Sequence, residues 1–126
     1  MTAVLIIDRD LGFLFWLGDV LHRAGYAVVP ATNCGDATRL LEQRQTPIQV
    51  LVMDGTLPGA AALVVEVRGK NPRLKVIGLV SEGREPAPFA GANRMLERMF
   101  GGRVSEADWI KAIEGVLAHN GASSGE

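Results

Sequence analysis

The chain has 126 residues, 48% of them hydrophobic and 21% charged, enough for one domain with a substantial core. Thirteen basic residues against 14 acidic ones leave a formal charge of −1, so nothing points to nucleic acid or an anionic membrane as partner. The single cysteine, Cys34, excludes an internal disulfide and a multi-cysteine metal site, and it suits a reducing, cytoplasmic compartment.

Met1-Thr2-Ala3 has no basic leader, and Val4 to Ile7 is too short for a signal or membrane segment. Ala3 to Ile7 reads as a buried strand that ends in Asp8-Arg9-Asp10. A helix is expected from about Leu11 to Ala24, stopped by Gly25. Tyr26 to Val29 forms the second strand, closed by Pro30, and Asn33 caps a second helix through about Arg44. The apolar run Ile48 to Met53 is a third strand, and it ends on Asp54 with a Gly/Pro loop directly behind it. A third helix is expected from about Ala60 to Lys70, with Leu63, Val64 and Val67 inward, and Asn71-Pro72 breaks it. Leu74 to Val80 is the fourth strand, ending at Ser81. Two prolines and two glycines between Glu82 and Gly91 argue against a full helix there. Met95 to Glu97 is a short fifth strand. Ser105 and Asp108 open the last helix, which runs to about His119. The folded body is thus residues 3–119, with residues 120–126 a flexible tail or linker.

Strands that alternate with helices imply an α/β fold with a parallel sheet and helices on both faces. The strand ends Asp8/Arg9/Asp10, Asp54, Ser81 and Arg98 would then share one crevice at the carboxyl edge. Carboxylates converging there suit a hard cation, Mg²⁺ above all. A carboxylate can also act as a nucleophile and become an acyl phosphate, whose charge calls for a metal, a cation and a hydroxyl donor. In that chemistry Asp54 is the nucleophile, Asp8 and Asp10 are metal ligands, Ser81 is the hydroxyl donor and Arg98 is the cation.

With those residues in place, the sequence resembles the receiver domains of bacterial two-component response regulators, from Val4 to about Ala118. Val4-Leu-Ile-Ile-Asp8-Arg-Asp10 is similar to the family's apolar strand ending in acids, and Ala24-Gly25-Tyr26 is similar to the end of its first helix. Val52-Met-Asp54-Gly-Thr-Leu-Pro58-Gly59 resembles the phosphoacceptor loop. Val80-Ser81 falls at the family's Thr/Ser position, and Gly91 to Phe100 aligns with the stretch that normally ends Lys-Pro-Phe. The resemblance implies a flavodoxin-like, doubly wound sheet of five parallel strands in order 2-1-3-4-5. It also implies a protein that is no classical enzyme. A histidine kinase or phosphotransfer protein would phosphorylate Asp54 with Mg²⁺ bound, Ser81 and the cation would bind phosphoryl oxygens, and an interaction surface would switch.

Several positions depart from the family pattern. Arg9 stands where a metal-binding acid is usual, and a permanently cationic guanidinium ligates no Mg²⁺. Arg9 is therefore expected as a substitute for the metal. Arg98 replaces the usual Lys, and Met95 the aromatic switch residue. Met99 replaces the cis-proline; a non-proline cis bond costs about 2.5–4 kcal/mol, so a trans bond is expected there. The short Ser81–Arg98 interval implies a fourth helix that is reduced or absent. These departures keep a second function open, a degenerate pseudo-receiver that binds partners without phosphorylation. A small flavodoxin-like enzyme or nucleotide-binding protein is disfavoured, because no Gly-rich phosphate loop follows the first strand.

On the first helix, Phe13, Trp16, Leu17, Val20, Leu21 and Ala24 are expected to face the sheet. Leu11, Leu14, Phe15 and Gly18 are expected on the opposite side, as a surface for a partner or a homodimer. His22, His119, Arg84 and Glu85 read as solvated residues, and Cys34 and Trp109 as packing.

Overall fold

A computed structural model describes residues 2–43, 47–80, 92–97 and 105–118. Its elements are β1 (Ala3–Ile7), α1 (Leu11–Arg23), β2 (Ala27–Ala31), α2 (Cys34–Gln43), β3 (Val50–Asp54), α3 (Ala60–Lys70), β4 (Lys75–Val80), β5 (Arg94–Glu97) and α4 (Glu106–Ala118). The strands pair in parallel in the order β2-β1-β3-β4-β5. This is the flavodoxin-like order expected from the sequence. Four helices accompany the five strands among the described residues. The segment on which the expectation of a reduced or absent fourth helix falls, residues 81–91, lies outside the described residues.

Side chains alternate across the sheet, as the strand period of two requires. Ala3, Leu5, Ile7, Leu51, Met53 and Val76 pack on one face with Ala37 of α2 and Leu63, Val64 and Val67 of α3. Val4, Ile6, Val50, Val52, Ile77 and Leu79 pack on the other with α1 and α4. Because β1 and β3 are covered on both sides, every residue in them is buried. Trp109 is the largest fully buried side chain; its ring sits 5.8 Å from that of Phe13, and its Nε1–H has no acceptor among the described residues.

Helix ends follow the capping chemistry in the sequence. Asp10 accepts the Phe13 N–H at the start of α1. At its end Gly25 takes φ 98°, and the N–H groups of Gly25 and Tyr26 return to the carbonyls of His22 and Leu21. The Asn33 side chain accepts the Asp36 N–H at 2.8 Å, and Ser105 and Asp108 cap each other at the start of α4. Asn93 prepares β5 by imitating a strand residue. Its N–H donates to the Val76 carbonyl and its side-chain oxygen accepts the Val76 N–H, each at 2.7 Å.

Two expectations need correction. Pro30 does not close β2 but lies inside it, opposite Ile6. The Ala31 carbonyl accepts the Asp8 N–H, so Ala31 faces β1 and the preceding residue turns its missing N–H to the open edge, where proline interrupts no ladder. Leu14 is not on the outer face of α1 but only 2% exposed, in the α1/α4 core. At 100° per residue it lies about 20° from Leu21, well within the inward stripe.

Candidate functional site

The register Ile7↔Met53 brings Asp8 and Asp54 into step, one residue further along two adjacent central strands. Strands in a sheet lie about 4.8 Å apart, so the two carboxylates emerge side by side at the carboxyl edge. Asp8 is 1% exposed and Asp54 8% exposed. Among the described residues, Lys75 is the only other charged or polar side chain with comparable burial, and it starts β4 at the opposite edge.

Each carboxylate is fixed by the residue two positions on. Asp8 Oδ1 accepts the Asp10 N–H at 3.1 Å. Asp54 Oδ1 accepts the Thr56 N–H at 2.9 Å and the Thr56 hydroxyl at 2.7 Å. The loop then turns by hydrogen bonds from Leu57 N–H to the Asp54 carbonyl and from Ala60 N–H to the Leu57 carbonyl. Gly59, at φ 83°, gives the left-handed residue that starts α3. The sequence signal for Thr56 is a local one, a hydroxyl two residues after an aspartate.

The acidic set expected as a metal pocket, Asp8, Asp10 and Asp54, does not form one cluster. Asp10 is exposed, and its carboxylate is engaged as the cap of α1. Among the described residues no three His, Cys, Asp or Glu side chains gather as a metal site. Arg9 is exposed and makes no hydrogen bond or ion pair among the described residues, so nothing seats it as the metal's substitute. The remaining pair, Asp8 and Asp54, still fits Mg²⁺, which takes one or two protein carboxylates and keeps several waters. Ser81, Arg98 and Met99 lie outside the described residues, as do His119 and the 120–126 tail. Met95 is half-buried in β5. Cys34 packs beside the α2/α3 core, and burial pushes its thiol pKa up.

Next to the carboxyl edge, α1, the end of β2 and α2 enclose a groove of ≈ 540 Å³. Leu11 and Phe15 stand at its mouth, 51% and 64% exposed, and buried Leu14 contributes to its lining. Of the four residues expected on the partner surface, Leu11 and Phe15 are therefore exposed, Gly18 is half-buried and Leu14 is buried.

Solved structures of the same shape are numerous. A protein from Chloroflexus aurantiacus assigned as a response regulator is 26% identical, with a TM-score of 0.74 over 93% of this chain and 98% of that one. A CheY-like response regulator receiver domain protein from Methanospirillum hungatei is 21% identical, with a TM-score of 0.75 over 95% of this chain and 96% of that one. NtrX from Brucella abortus, solved with ADP, is 19% identical with a TM-score of 0.78; the match covers 95% of this chain but 27% of NtrX. No family model and no curated protein matches the sequence.

Proposed function

From the premise that this chain has the architecture of a response regulator receiver domain, we propose that it accepts a phosphoryl group on Asp54 and thereby switches a protein-interaction surface. The supporting observation is the pair of buried carboxylates, Asp8 and Asp54, in step on adjacent central strands. In the transfer, an Asp54 oxygen bonds to phosphorus as the phosphorus–nitrogen bond of a donor phosphohistidine breaks. The bonding pair leaves with the imidazole nitrogen, which then takes a proton. Asp8 and Asp54 would hold Mg²⁺, which when bound offsets the charge of the phosphoryl oxygens. Burial of both side chains limits water around the reacting carboxylate and strengthens every electrostatic interaction with it.

The donor is a histidine kinase or phosphotransfer protein. Leu11 and Phe15, at the mouth of the α1/α2 groove, are its proposed contact, with a second copy of this chain as the competing occupant. A module that binds partners without phosphorylation is the second reading. It is favoured by the exposed Arg9 at an acidic position and by the commitment of Asp10 to capping α1.

The test is an amide NMR titration with Mg²⁺ and then beryllium fluoride, a phosphoryl mimic. Shifts at Asp54 and its loop that need Mg²⁺, and that vanish in Asp54→Asn, are expected. No response to either addition would remove the phosphoacceptor role and leave the interaction module.

A further inference from the structure

A carboxylate oxygen offers about two lone-pair directions. At Asp54 Oδ1 both are taken by the same residue, through the Thr56 N–H at 2.9 Å and the Thr56 hydroxyl at 2.7 Å. The two donors are not equivalent. The N–H is fixed by the turn that leads to Leu57 and α3, whereas the hydroxyl can leave by rotation about one side-chain bond. Thr56 is exposed, so that rotation meets little packing. A cation approaching Oδ1 must therefore displace the hydroxyl.

We propose that the Thr56 hydroxyl is a gate on Asp54, competing with a divalent cation for Oδ1 and opening when the cation binds. This inference rests on the phosphoacceptor reading of Asp54 and adds a regulatory residue to that site. Thr56 donates to Asp54 through both its N–H and its hydroxyl, and it is a positioning residue that acts through that carboxylate. The closed gate holds the carboxylate in one orientation without a metal. The open gate releases Oδ1 to the cation while the backbone N–H keeps the side chain aligned.

The competition predicts an inverted mutational sign. Thr56→Val keeps the shape and removes the donor, so Mg²⁺ should bind about tenfold tighter than to the unaltered chain. Thr56→Ser keeps the donor and should bind like the unaltered chain. A merely structural threonine would give the reverse, with valine loosening the site. Affinities come from amide shifts during a Mg²⁺ titration. In the unaltered protein, three-bond couplings to the Thr56 methyl carbon report the rotation itself and should change between metal-free and saturated states. Equal or weaker Mg²⁺ binding by Thr56→Val, an unchanged Thr56 rotamer at saturation, or no Mg²⁺ binding by any of the three overturns the gate. Adding beryllium fluoride separates the two readings. An Mg²⁺-dependent response of equal affinity in the unaltered and valine proteins keeps the phosphoacceptor and discards the gate, whereas no response in either discards both.

Discussion

Two loops leave the same edge of the sheet and begin alike. After β1 and after β3, a buried aspartate accepts the backbone N–H two residues on. They diverge at the side chain of that second residue. In the first loop it is Asp10, which turns away to cap α1. In the second it is Thr56, whose hydroxyl turns back onto Asp54. The helices that follow differ in step: α1 starts from a side-chain cap, and α3 starts from Gly59, with a left-handed φ and no side-chain cap. One local turn thus serves two purposes, and the residue at its end decides whether the loop anchors a helix or conditions a carboxylate.

The largest effect is expected inside the helix that the first loop launches. Leu14→Ala should cost about 2–5 kcal/mol in urea unfolding, because it empties part of the α1/α4 core. Phe15→Ser, one residue on and exposed, should stay within about 0.5 kcal/mol. Equal losses would return Leu14 to the surface.

Next come the two helix starts. Gly59→Ala should cost about 1–2 kcal/mol from its left-handed backbone alone, since an added Cβ would meet Cys34 Cβ at an ordinary 3.6 Å. Asp10→Ala should cost about 1 kcal/mol through the lost cap, and Asp10→Ser should recover most of it. If Asp10→Ala were neutral, the contrast between the loops would collapse.

The smallest effect concerns the reciprocal cap of α4. The Ser105 N–H and hydroxyl hold the Asp108 carboxyl below its usual 3.8. A lowered folded pKa contributes stability above 3.8 that is lost as pH falls through the folded value. Asp108→Asn should flatten that acid limb of the stability curve and leave neutral pH nearly unchanged.

What the sequence disclosed depended on how strongly each element was punctuated. The bounds of α3 are legible in the sequence, because Pro58-Gly59 and Asn71-Pro72 bracket it. The end of β2 is not, because a proline looks the same as a stop and as an edge residue until the strand's neighbours are known. Asp8 and Asp54 stand out as carboxylates at the ends of apolar runs. Asp10 carries two signals, a helix cap and a third acid, and the cap is the one realised among the described residues. Thr56 escaped because its role lies in one hydroxyl rotamer, which composition and periodicity do not encode. Leu14 is buried because the inward apolar stripe of α1 is wide enough to include it.

Pro30 has a consequence for the protein in concentrated solution. An outer strand normally offers an unbroken row of donors onto which another chain can zip. Here the donor is missing from the middle of β2, on the open side, and an exposed ring stands in its place. The same residue that is harmless to the fold thus caps the growth of the sheet, and Pro30→Val would complete the template for fibre-like assembly.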